Sequence, residues 1–186
     1  MQAVLESLVI DTESDHNTKN TSRRVAKMYV QEVFNGRYVE QPTLTKFPNV
    51  SRLNELMIIG PITVRSACSH HLCPIMGRIW IGVLPSKDSA LIGLSKYTRI
   101  AQWCARRGTL QEELCMDIAR EIKFATASSD VAVYIQATHG CCENRGIMAH
   151  SSLTQTTVLE GAFKTDPSVK KEFFDNIKLQ QEFAPR

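Results

Sequence analysis

The chain has 186 residues, a formal net charge of +3 and a hydrophobic fraction of 43%. That length suits one domain, or one domain with an appended helical segment, and the apolar content suffices for a core that needs neither metal nor disulfides to fold. The near-balanced charge argues against a nucleic-acid binder and leaves only local basic pairs, such as Arg23-Arg24 and Arg106-Arg107, for an anionic ligand.

The opening stretch "MQAVLESLVIDTESD" carries acids and lacks a basic start followed by an apolar run, so it does not read as a secretory leader. No apolar run approaches the ~20 residues of a membrane span. The six cysteines show no dense, regular spacing of a disulfide framework. The expectation is a cytoplasmic protein with reduced thiols, away from membranes. There a Cys/His cluster points to a metal or catalytic site.

Along the chain, residues 11–20 are polar and read as a loop. From Thr21 to Phe34, Val25, Met28, Tyr29 and Val33 recur at helical spacing, with Thr21 or Ser22 as cap and Gly36 as stop. Residues 39–55 read as an extended connection. Glu55 to Cys68 is apolar and β-branched, with Gly60-Pro61 predicting a bulge or an edge, and Gly77 to Pro85 reads as a second strand. Two helices follow: one starting with Ser95 as N-cap and stopping at Gly108, the other opening on Thr109-x-x-Glu112, a capping-box spacing. Asp130 to Cys141 alternates as a strand, with Val131, Val133, Ile135, Ala137, His139 and Cys141 on one face. Ser151 to Phe163 is a Thr-rich fourth strand, and residues 166–183 form an amphipathic helix. The order helix, two strands, two helices, two strands, helix predicts an α+β domain with an antiparallel sheet and helices on one face. Residues 1–54 form an N-terminal helical segment and connection; residues 55–186 form the main domain.

Chemistry concentrates in "SACSHHLCP" (Ser66 to Pro74) and "ATHGCCENRG" (Ala137 to Gly146). Cys68-x-x-His71 lets two side chains reach one ion from a turn at a strand end, and Cys141 follows at the end of another strand. Two thiolates and an imidazole are a borderline-soft set that suits zinc. Three protein ligands leave a fourth position open, the pattern of a catalytic site, where zinc lowers the pKa of water to ~7. His70 and His139, each within two residues of such a ligand, are then available to shuttle protons. Bland alternatives stand beside this reading. Cys73 or Cys142 could close a structural site, His70 could be a polar neighbour and His139 a satisfied sheet histidine. Cys104 and Cys115, inside predicted helices, read as small buried hydrophobes.

These motifs, with "IGLSKYTRI", "ARRGTLQEEL", "GAFKTDP" and the helix "SRRVAKMYVQEVFNG", resemble GTP cyclohydrolase I from about Thr21 to Ile177, in order and with few gaps. The resemblance implies a tunnelling fold, an antiparallel four-stranded sheet with two helices on one face, assembled as a homodecamer with sites at subunit interfaces. It implies zinc ligands at Cys68, His71 and Cys141 and catalytic groups at His70, His139 and Ser95. It implies a triphosphate clamp of Lys96, Arg99 and Arg145, and purine readers at Gln111 and Glu112. The reaction implied is hydrolysis of GTP to 7,8-dihydroneopterin triphosphate and formate, opening tetrahydrofolate, pterin or 7-deazaguanine synthesis. Alternatively, Ser95 and Glu112 serve as helix caps, and the three basic residues as solvated charges. One departure stands out: the family's motif reads Cys-Glu-His-His, and here its second residue is Ser69. That change motivates two related readings, a preference for dGTP and a reaction that stops at the ring-opened formamide. A reading from another class is a nucleotide-binding protein with a purely structural zinc.

Overall fold

The computed structural model describes residues 1–183, so the last three residues of the segment assigned to the main domain lie outside the described residues. The chain runs α1 (Gln2–Ser7), α2 (Thr21–Met28) with a π-helical turn (Tyr29–Val33), β1 (Lys46–Pro48), β2 (Met57–Ala67), β3 (Pro74–Val83) and β4 (Ala90–Ile92). It continues through α3 (Leu94–Ala105), α4 (Gln111–Thr126), β5 (Val131–His139), α5 (Gly140–Glu143), β6 (Thr154–Leu159), α6 (Ala162–Thr165) and α7 (Pro167–Phe183).

Four strands form an antiparallel sheet in the order β2-β3-β5-β6. The expected irregularity at Gly60-Pro61 is present: the β2–β3 register shifts between Ile59 and Ile62. On one face, Ile62, Val64, Ile79, Ile81, Val133 and Ile135 meet Ile100 and Cys104 of α3 and Leu114, Cys115, Ile118 and Ile122 of α4. Residues of opposite strand parity, Trp80, Ala132 and Tyr134, join Phe163, Phe173 and Ile177 in a smaller cluster. The two-helix layer is therefore as expected, and α6 and α7 add cover to the other face. With both faces covered, β5 is buried continuously from Val131 to Ile135 instead of alternating.

Helix starts differ from the sequence reading by one or two residues. Gly93, not Ser95, is the N-cap of α3, because β4 holds the chain extended through Ile92. At α4 the cap falls on Leu110, whose N–H donates to Glu113 Oε2 at 3.3 Å, so Thr109 and Glu112 do not form the capping pair. The shift follows from Gly108, which turns the chain at φ +64 and gives its Cβ space to Phe34; a side chain there would lie 1.9 Å from Phe34 Cε1. The N-terminal segment docks on this connection, with Gly36 N–H donating to Arg106 O and Trp103 Nε1–H to Val39 O. The expected connection over 39–55 gains a short ladder, β1 with β4. Among the described residues no helix is long and apolar enough to cross a membrane.

Candidate metal centre and active site

Strand register brings the two Cys/His motifs together at one end of the sheet. Ile75 of β3 pairs with Ser66 of β2 on one side and with His139 of β5 on the other. Cys68 lies just past the end of β2. A tight turn follows, closed by Cys68 N–H to Cys73 O and Leu72 N–H to Cys68 O, both 2.8 Å. β5 ends on His139 and turns at once into α5, so Cys141 leaves the strand face on which the alternation had put it. Gly140 makes that turn against Pro74; a Cβ there would meet Pro74 Cδ at 3.1 Å.

The outcome is a group in which the donor atoms of Cys68, His139 and Cys141 all lie within 4.8 Å of one another. Cys68 is buried, and His139 and Cys141 are half-buried. His71, expected in this group, lies outside it. The backbone bonds that close the turn leave Ser69, His70 and His71 exposed, with the two imidazoles edge to face and 6.2 Å between ring centres.

Burial sets the electrostatics. It holds the His139 imidazole below its ordinary range, more strongly than Glu112 and Glu143 raise it. The Cys141 thiol is pushed up to about 11, first by burial and then by the sulfurs of Cys142 and Cys68. A thiol held this way keeps its proton until a cation arrives to stabilise the thiolate. Two sulfurs and an imidazole nitrogen at this spacing fit a zinc ion. Cys142 Sγ is 3.9 Å from Cys141 Sγ. Cys104 and Cys115 lie in the core away from this group, both pushed up to about 12 by burial, as small hydrophobic residues.

The other expected residues divide by exposure. Gln111, the first residue of α4, is only 1% exposed. Its Nε2 donates to Thr156 Oγ1 (2.9 Å), Thr154 O (3.2 Å) and Ile135 O (3.4 Å), and its Oε1 is 2.9 Å from His139 Nε2. Sequence reasoning set Gln111 beside Glu112 as a reader of the base; the structure turns it inward. Glu112, one residue on, is exposed in the first turn of α4. Ser95 is exposed in the first turn of α3, and Lys96 Nζ donates to Thr43 O at 2.8 Å. Arg99, exposed, lines a cavity of about 210 Å³ with Glu40, Trp103 and Arg106. Arg145 is exposed on the loop just beyond α5.

The GTP cyclohydrolase I family model matches residues 1–178. The chain belongs to the GTP cyclohydrolase I family. It is 41% identical to GTP cyclohydrolase 1 of Flavobacterium johnsoniae over 98% of this chain and 81% of that protein. It is 38% identical to GTP cyclohydrolase 1 of Aeromonas hydrophila over 96% of this chain and 81% of the relative. The enzyme of that name in Vibrio vulnificus gives the same figures. As a member of this family the chain combines a four-stranded antiparallel sheet with a Cys/His/Cys group at the sheet's end.

Proposed function

We propose that the chain is a zinc-dependent GTP cyclohydrolase I, converting GTP and water to 7,8-dihydroneopterin triphosphate and formate. The observation that carries the proposal is the convergence of Cys68, His139 and Cys141 within 4.8 Å, in a chain of this family. Cys68 and Cys141 supply the thiolates of the metal site and His71, on the same turn as Cys68, the imidazole. A zinc ion held there would supply a water that ionises near neutral pH. The chain's own groups then do the rest. His139 and His70 take and return protons at the purine's imidazole nitrogens and the ribose ring oxygen. C8 leaves as formate, and Ser95 assists the sugar rearrangement before the pyrazine ring closes.

Binding falls to Glu112, Lys96, Arg99 and Arg145. Glu112, free of any capping bond, accepts hydrogen bonds from guanine N1 and the 2-amino group, donors that adenine does not offer in this pattern. Lys96, Arg99 and Arg145 hold the triphosphate through charge-assisted bonds, Lys96 exchanging Thr43 O for a phosphate oxygen. Among the described residues the sheet ends in two unpaired edges, β2 and β6, and Ile147, Met148 and Leu153 are exposed nearby in sequence to β6. Edge-to-edge pairing of copies into a ring, and a homodecamer with sites between subunits, would cover both. All six cysteines are free, in keeping with a cytoplasmic enzyme.

The test is to incubate the zinc-loaded protein with GTP and to assay formate and, after oxidation, a fluorescent pterin. Both products should form. Zinc bound in a folded protein that releases neither would refute the reading. Ser69, exposed beside His70, favours running dGTP in parallel; faster turnover of dGTP, or a ring-opened formamide by mass analysis, would redirect the substrate assignment.

A further inference from the structure

We propose that Gln111 is a positioning residue that fixes His139 as its Nε2–H tautomer, so that Nδ1 is the ring nitrogen left with a free lone pair. The argument begins with the amide. An amide nitrogen and oxygen are told apart by their partners. Gln111 Nε2 faces the carbonyl oxygens of Thr154 and Ile135, which can only accept, and Thr156 Oγ1. The nitrogen must therefore point at them, and Oε1 must point at His139 Nε2, 2.9 Å away. An amide oxygen can only accept. The partner nitrogen must donate, so Nε2 carries the proton in the neutral ring.

The arrangement is held from three sides. Gln111 belongs to α4, Ile135 to β5, and Thr154 and Thr156 to β6. Gln111 is 1% exposed, and both its polar atoms are engaged within the chain. Swinging the side chain out to read a purine would strand buried carbonyls and the His139 N–H, which is costly in a buried network. The same geometry that makes Gln111 a poor reader of the base makes it a rigid orienter of the ring. Of the pair Gln111 and Glu112, only Glu112 is presented to a ligand.

The consequence is chemical. A neutral imidazole accepts a proton, or binds an ion, through its unprotonated nitrogen. With Nε2–H committed to Gln111, proton acceptance by His139 in the cyclohydrolase reaction takes place at Nδ1, and a ring free to sample both tautomers would spend part of its time with the wrong nitrogen protonated. The kinetic part of this inference rests on the proposed function; the tautomer itself does not.

The experiment uses zinc-loaded protein carrying histidine labelled with 15N at Nδ1, read by solid-state NMR at pH about 8, where an ordinary imidazole is neutral. The His139 resonance is assigned by its loss in His139→Gln. In the wild type it should be that of an unprotonated nitrogen. Gln111→Met, similar in length but without the acceptor, should bring in a protonated Nδ1 signal. It should lower kcat for GTP by about a hundredfold while KM stays within about threefold. Gln111→Glu, protonated in this buried place and still offering a carbonyl, should restore the unprotonated signal. A protonated Nδ1 in the wild type overturns the inference whether or not any variant folds. So does a Gln111→Met protein with an unchanged His139 resonance and a loss confined to KM. Absence of GTP turnover in the wild type would strike the cyclohydrolase reading instead and leave the resonance where it is.

Discussion

Cys68, Gln111, His139 and Cys141 form the back of the metal centre, and the turn that carries His70 and His71 its front. The back is buried or half-buried and tied by named bonds to β5, β6 and α4. The front stands exposed on the turn after β2, with the two imidazoles edge to face. A single chain therefore pre-organises the groups that need a fixed orientation. It leaves the side chains of the turn in solvent. Buried polar groups must find partners within the chain, whereas exposed cations remain hydrated at little cost.

Substitutions at the back should have the larger effects. Cys68→Ser and Cys141→Ser should each abolish stoichiometric zinc, measured by elemental analysis of the folded protein, and with it formate release. Next comes the pair of histidines. His71→Ala should lose zinc, whereas His139→Ala should keep zinc and lose about 10²–10⁴-fold in kcat. The opposite pattern would make His139 the ligand, as its closeness to the two sulfurs allows, and leave His71 a rim residue. Because the metal-free Cys141 thiol is pushed up to about 11, it is protonated at neutral pH and zinc must displace that proton. Zinc affinity should therefore rise with pH, about tenfold per unit for each proton displaced, in a competition titration with a chromophoric chelator.

Changes to the side chains proposed to bind substrate should be milder and concentrated in binding. Glu112→Gln removes a charged acceptor and should cost roughly ten- to a hundredfold in kcat/KM for GTP, with zinc content unchanged. The smallest effect belongs to the core. Cys104 and Cys115, both pushed up to about 12 by burial, should resist iodoacetamide in the native protein and react only on unfolding, as followed by mass spectrometry.

The same division governs what could be read from the sequence. The strands and the two long helices were legible because their apolar periodicity answers to one buried face, and Cys68 and Cys141 stood out through their motifs. Helix starts were missed where tertiary pairing overrode local signals. The β1–β4 ladder moved the α3 cap to Gly93, and the Gly108 turn under Phe34 moved the α4 start past Thr109. The inward turn of Gln111 was invisible for a similar reason. Its partners Ile135, Thr154 and Thr156 lie 24 to 45 positions away and meet it only once β5 and β6 have paired. That the end of β5 brings His139 to the two sulfurs while His71 stands outside on the turn was likewise not visible in motif spacing.

The central claim is a metal position that the chain leaves open, and zinc K-edge X-ray absorption on the zinc-loaded protein tests it most directly. Two sulfur and two light-atom neighbours around zinc are expected, with the fold retained after chelation by circular dichroism. Three or more sulfurs, drawing in Cys142 or Cys73, together with unfolding on chelation, would show a closed structural site and contradict the account.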